Sequence, residues 1–334
     1  MLSVTPPNRD PVKTRRARRT LMTAVLAVAA LLVIAACGSS SSSSSSSSTA
    51  SSSAAGGSSS ASSSSSSGGL TLGTKDFTEE FIVGQLYRQA LEAKGCKVNY
   101  KENIGPTEVV DKALKSGQID AYPEYTGESV ATVAGINKTV TSPQEEYSLA
   151  KAFYAKRGQV MSQMTPFFDT DAIAVLKAYA KQYGLVTTAD LKKVPHFTLG
   201  ARPEFLGRQE GALGMKNVYG VKNFTFKSLA LGIQYQALDS GGVNAIDVFT
   251  TDPQLASGKY TVLKDPKTIF GFQNVALVID KSKLNVCPNV LTVVDSVNKL
   301  LTTPAVIAMN KAVAIDKQSQ ATVAQAFLKA NHIL

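Results

Sequence analysis

The chain has 334 residues, 44% of them apolar, enough core for about two domains. Its formal charge is +10, but residues 1–36 hold six of the 35 Lys/Arg and one of the 25 Asp/Glu, so the remainder carries only +5. No Arg/Lys cluster interleaved with aromatics remains, which argues against nucleic acid as a partner. Two histidines and three cysteines leave little material for a metal centre or a nucleophilic enzyme.

Residues 1–37 read as a lipoprotein signal peptide. Arg15, Arg16, Arg18 and Arg19 form a basic start, and Leu21–Ala36 is an apolar run too short for a comfortable membrane span. It ends in Ile34-Ala-Ala-Cys37, which resembles a lipobox and predicts lipidation of Cys37. An uncleaved N-terminal anchor is the alternative. Residues 38–69 are almost all serine with some alanine and glycine, have nothing to bury and read as a disordered linker. As a flexible coil it reaches roughly 30 Å. Together these segments place the globular part outside the cell, lipid-anchored to the outer face of a bacterial membrane. In that oxidising setting Cys96 and Cys287 either bridge or remain two separate buried thiols.

The folded part begins with a strand at Leu70–Gly73. A helix follows from Thr78, with Val83, Leu86, Tyr87, Ala90 and Leu91 on one face, capped by Asp76 or Thr78. Asp76 and Glu79 have capping-box spacing. Lys75 thus sits between a strand's carboxyl end and a helix's amino end, a position that suits a small anion. Read alone, it is equally one more solvated lysine. A strand near Val98–Ile104 and a helix capped by Thr107, with Val109, Val110, Ala113 and Leu114 inward, lead to Asp120–Gly127, DAYPEYTG. Pro123 is expected to take the chain out of the sheet there. This β-α-β-α-β order predicts a parallel sheet. Thr141–Met164 reads as one helix, with Ser142 and Glu145 as a capping box and Pro143 at its first position.

Further on, a short helix is expected at Thr188–Val194. Strands are expected at His196–Ala201, Val221–Phe226, Ala245–Phe249 and Tyr260–Leu263, and a helix at about Ser228–Leu238. Amphipathic helices at Asn289–Leu301, Pro304–Ile315 and Ala321–Ile333 close the chain.

Several of these stretches carry a resemblance. GTKDFTEE at Gly73–Glu80 is similar to the G-S-K-x-F-T-E of the substrate-binding lipoproteins of glycine betaine/carnitine/choline (osmoprotectant) ABC importers. DAYPEYTG resembles their Y-P-E-Y-T-G-T, and Phe167–Val175 their crossover N-N-T-Y-A-L-A-V. Phe205–Gly211 resembles F-x-x-R-x-D-G, the strand Ala245–Phe249 leading into Thr250-Thr-Asp-Pro resembles the D-V-x-D-x-Y/F-T-T-D run, and Ile269–Leu277 the second crossover. The resemblance extends from about Leu70 to the C-terminus. It implies an α/β fold, a two-lobed periplasmic-binding-protein clamshell of type II with two interlobe crossovers. Lobe 1 would be 70–166 and 276–334, and lobe 2 would be 167–275.

The resemblance also implies site residues. Tyr125, Phe205 and Phe249 would be walls of an aromatic cage around a quaternary ammonium, which cannot donate hydrogen bonds and is held by ring faces. Lys75 and Arg208 would take a carboxylate, Arg208 through its planar fork. Three positions depart from the pattern. A carboxylate-binding threonine is Glu128, which would repel a ligand carboxylate unless it turns to solvent. Two cage tyrosines are Asp171 and Gln273, so two of five cage positions are polar. Asp171 could pair with the cation, or face water if the alignment slips by one. On the residues alone, Tyr125 could be a core tyrosine and Arg208 a surface or interlobe ion pair.

The reading is an extracytoplasmic solute-binding protein that captures a quaternary-ammonium or betaine-like osmolyte and delivers it to an ABC permease. A ligand-binding sensor, or a binder of a different cationic amine, is the alternative. No catalytic set, metal or cofactor is expected, and the protein is expected to be a monomer.

Overall fold

The computed structural model describes residues 68–334. The signal peptide, Cys37 and the linker through residue 67 lie outside the described residues.

The described residues build two five-stranded sheets. The first lobe opens with β1 (Leu70–Gly73), α1 (Thr78–Ala93), β2 (Val98–Lys101), α2 (Thr107–Lys115), β3 (Ala121–Tyr125) and the single turn α3 (Thr126–Glu128). It continues with α4 (Pro143–Lys156) and the edge strand β4 (Gln159–Met161). The chain then crosses to β5 (Asp171–Leu176), α5 (Lys177–Tyr183), β6 (Phe197–Ala201), α6 (Ala212–Asn217), β7 (Phe224–Ser228), α7 (Gln234–Asp239), β8 (Ala245–Phe249) and β9 (Tyr260–Val262). It returns through β10 (Val275–Asp280) and ends in α8 (Val290–Asn298), α9 (Thr303–Ala314) and α10 (Gln320–Ala330). Strand order is β2-β1-β3-β10-β4 in one sheet and β7-β6-β8-β5-β9 in the other. In each, three parallel strands are flanked by antiparallel ones. The antiparallel partner of β3 and β4 is β10, the returning strand, so the second crossover closes the first sheet.

The apolar face of α1 is buried as its periodicity predicts. Ile82, Val83, Leu86, Tyr87, Ala90 and Leu91 pack with residues of α8, α9 and α10 in one core cluster. Gly84 lets α1 lie close on its sheet, because a Cβ there would meet Thr74 Cγ2 at 2.4 Å and the Tyr100 hydroxyl at 2.6 Å. The same lobe is stapled by a disulfide from Cys96 to Cys287, with Cα atoms 5.4 Å apart.

Local expectations fail in instructive places. Pro123 does not end the sheet: it lies inside β3, opposite Leu277. Bonds from Thr126 N to Asn274 O and from Asp280 N to Asp120 O put the even residues of β3 in the bonding pairs. Pro123 therefore falls in a non-bonded pair, and β1 pairs with β3 only at Ala121, so its missing N–H leaves no gap. Neither Asp76 nor Thr78 caps α1; the N-cap is Phe77, without a side-chain bond. Thr107 is not a cap either, but the first residue of α2, after Pro106. Val109 faces outward, while Val110, Ala113 and Leu114 are buried. The helix expected through Met164 stops at Lys156, and Gln159–Met161 pairs on β10. Ser142 does accept from Glu145 N. The helix expected from Ser228 starts at Gln234, because Ser228 is the last residue of β7.

Candidate functional site

The cleft forms where β1 turns into α1, where β3 turns into α3, where β5 begins and where β6 and β8 end. Three rings make its apolar wall. Phe77 stacks on Phe249 with centroids 5.1 Å apart and tilts toward Tyr125 at 5.9 Å. Against them lies a cation belonging to the protein itself. Lys75 Nζ sits 4.4 Å from the Tyr125 centroid, 6.0 Å from that of Phe77, and 2.5 Å from Glu124 Oε1. It also donates to Thr107 Oγ1 at 3.2 Å. Burial opposes the Lys75 charge, but Glu124, Glu80 and Glu128 outweigh it and hold the ammonium above its ordinary pKa.

The two lobes are tied across this cleft. Arg208 of lobe 2 donates to Glu108 through Nε at 3.1 Å and Nη2 at 2.8 Å, and to Glu128 through Nη1 at 2.9 Å. Glu128 is buried, which opposes its charge, but Arg208 and Lys75 pull its pKa below the usual value. Glu79 of α1 accepts from Tyr125 at 2.7 Å, from Thr251 of lobe 2 at 2.6 Å and from Asn310 of α9 at 2.9 Å. Arg202 holds Asp171 through both nitrogens, at 2.6 and 2.8 Å, and also bonds Asp247. Gln273, at φ +58°, accepts from Glu128 N at 3.1 Å and donates to Glu210 at 3.3 Å and to Phe270 O at 3.2 Å. Gly127 leaves room for this amide, since a Cβ there would come within 2.6 Å of Gln273 Nε2 and 2.8 Å of Glu210 Oε1 and push both side chains aside. The space left inside is about 40 Å³, room for a few waters, so a larger ligand enters only when the lobes part.

Residues 68–330 match the family described as the substrate binding domain of ABC-type glycine betaine transport systems. The chain belongs to this family. Over 278 residues it is 31% identical to a glycine-betaine-binding protein of Pseudomonas aeruginosa, covering 79% of this chain and 88% of that one. It is 28% identical to an ergothioneine transport permease/ergothioneine binding protein of Helicobacter pylori over 78% of this chain, which spans 47% of that relative. The structure of apo YehZ from Escherichia coli superposes with a TM-score of 0.58 at 26% identity, covering 80% of this chain and 99% of that one. The fold is the type II binding-protein clamshell, two lobes joined by two crossovers. As a family member the chain is the extracytoplasmic substrate-binding component of an ABC importer.

Among the residues singled out from sequence, Lys75, Tyr125, Glu128, Asp171, Arg208, Phe249 and Gln273 all line the cleft. Phe205 does not. It is fully buried in the lobe 2 core and stacked on Phe270 at 6.2 Å, because the turn after β6 folds it inward. Asp171 neither faces water nor stands free to pair with a ligand: Arg202 holds it. Glu128 does not turn to solvent but pairs with Arg208. Arg208 makes the interlobe ion pair that its residue type alone allowed. Sequence reasoning missed Phe77, Arg202, Glu79 and Asp169. Phe77 and Glu79 lie in the Gly73–Glu80 stretch and Asp169 in Phe167–Val175, while Arg202 lies six residues before Arg208, where the strand-to-loop pattern already pointed.

Proposed function

We propose that the cleft captures a quaternary-ammonium or betaine-like osmolyte and presents it to an ABC permease, without catalysing a reaction on it. The observation that carries this reading is the cation already seated on the rings. Lys75 Nζ lies over Tyr125 in a corner closed by Phe77 and Phe249. A ring quadrupole that attracts an ammonium attracts a trimethylammonium on the same face. When the lobes part, Phe77 and Phe249 unstack and a ligand head can take the ring faces they expose beside Tyr125, while Lys75 stays with Glu124. The named binding of the Pseudomonas aeruginosa relative supports the same ligand class. Titration calorimetry with glycine betaine, choline, carnitine and ergothioneine tests it. At least one should bind, and Tyr125→Ala should weaken it by about 0.5–2 kcal/mol, roughly two- to thirty-fold. Absence of binding by all four, or an unweakened Tyr125→Ala, would refute the reading.

The same proposal takes 70–166 with 276–334 as lobe 1, 167–275 as lobe 2, a monomer, and lipidation at Cys37 as the anchor. The lipobox-like Ile34-Ala-Ala-Cys37 and the serine tether support the anchor. Cys37→Ala should leave the precursor uncut or release the protein from the membrane. Unchanged processing and retention would remove the anchor from the proposal.

A further inference from the structure

The cleft continues into a larger chamber. Beyond the Phe77–Phe249 stack lies a cavity of about 440 Å³ between α1 and α9 of lobe 1 and the segments 231–235 and 249–254 of lobe 2. Asp76, Phe77, Asp169, Leu231 and Phe249 line both spaces, so the stacked rings are a partition between them. Four carboxylates line the chamber, Asp76, Glu79, Asp169 and Asp252, against the single cation Lys317. Lys317 donates to the carbonyl of Ala314, and no ion pair joins it to these carboxylates among the described residues.

Glu79 is satisfied by Tyr125, Thr251 and Asn310, but the other three carboxylates are not fully spent on the protein. Asp169 is 4% exposed, and both bonds it accepts, from Thr250 and Thr251, go to Oδ1. Asp252 likewise accepts from Tyr235 and Phe249 on Oδ2 alone. The second oxygen of each accepts nothing among the described residues. Asp76 makes no hydrogen bond or ion pair there at all. Asn310, 5% exposed, lines the same wall and donates its amide to Glu79 and Thr251. Burial and like charge lift Asp169 well above the usual carboxylate range, and burial lifts Asp252 to about 6. Both shifts mark desolvated acids short of a counter-cation, Asp169 buried and Asp252 half-buried.

The smaller cleft shows the complementary deficit. Its two arginines are already held by carboxylates, Arg202 by Asp171 and Asp247, Arg208 by Glu108 and Glu128. A ligand carboxylate could reach Arg208 only by leaving one of these unpaired, which is unfavourable for a buried group. Bare carboxylate oxygens need N–H donors, which a trimethylammonium lacks and a primary or secondary ammonium has.

We propose that the chamber is a second subsite for an ammonium group, and that the ligand class is a linear di- or polyamine. It would reach from the rings of the cleft past Phe77 and Phe249 to Asp169 and Asp252. This rests on the cation-binding reading of the cleft and narrows it from a zwitterion to an elongated cation.

Titration calorimetry of the protein with putrescine, spermidine, choline and glycine betaine tests the subsite. Putrescine or spermidine should bind. Asp252→Asn, at a carboxylate that lines the chamber and not the cleft, should weaken the amine about ten-fold or more, and change choline affinity less than about three-fold. Asp76→Asn, at a side chain that makes no hydrogen bond or ion pair among the described residues, should also weaken the amine and guards against misfolding of Asp252→Asn. Choline or glycine betaine binding with no amine binding overturns the second subsite and leaves the cleft reading standing. Amine binding indifferent to both substitutions overturns the placement in the chamber. No binding by any of the four removes both.

Discussion

Arg208 closes the cleft from within, and removing it should open the protein. The guanidinium makes three charge-assisted bonds across the lobes, two to Glu108 and one to Glu128. The two halves do not weigh the same. The Glu108 side chain is 47% exposed, so water screens that pair and it contributes at most about 1 kcal/mol. Glu128 is 6% exposed, and a buried charge-assisted bond is worth about 1.5–3 kcal/mol. Arg208→Ala should therefore destabilise the closed arrangement by about 2–4 kcal/mol, a shift of roughly thirty- to a thousand-fold in the closed-to-open ratio. Opening hydrates Glu128, so the effect belongs to lobe closure rather than to global unfolding. Small-angle scattering, or distance measurement between labels on the two lobes, reads it directly. The wild type should be compact without ligand and Arg208→Ala extended, while Arg208→Lys, which loses the bidentate fork, should fall between. A ligand-free Arg208→Ala protein as compact as the wild type would show that the interlobe pair does not hold the cleft shut.

Replacing Cys96 and Cys287 together by serine should lower stability by about 2–5 kcal/mol in denaturant unfolding, because the bridge closes a loop with a sequence separation of 191. A loss under about 1 kcal/mol would mean that the core of the first lobe holds these segments without it. Stability should also fall as pH rises. Burial is the main reason that Glu80 titrates at about 8 in the fold, far above its unfolded value. The folded state thus binds the proton more tightly, and this contribution is complete below about pH 4.5 and lost by about pH 8. The change is on the order of 3–5 kcal/mol across that window, and Glu80→Gln should flatten it in thermal melts at stepped pH. An unchanged pH profile in that variant would exclude Glu80 as the source.

The alternation of apolar strands with amphipathic helices determined the fold class, because periodicity is a local property that survives in one dimension. The inward face of α1, the limits of β8 and the segments that cross between lobes could all be read this way. The motif around Tyr125 likewise fixed which loops meet, since strand ends at the same edge of a sheet must converge. What the sequence could not determine was how charges pair. Arg208 meets Glu128 and Glu108 at sequence separations of 80 and 100, and Glu79 meets Thr251 at 172. Those partners depend on two lobes closing, and nothing in the spacing of either segment encodes them. The same reason explains Phe205 and Asp171. Their residue types suited a ligand cage, but the turn after β6 put the ring into the lobe 2 core, and Arg202 from that turn neutralised the carboxylate. Pro123 shows the converse case. Its residue type argued against a strand, and only the pairing register, with β1 ending before it, made the position tolerable.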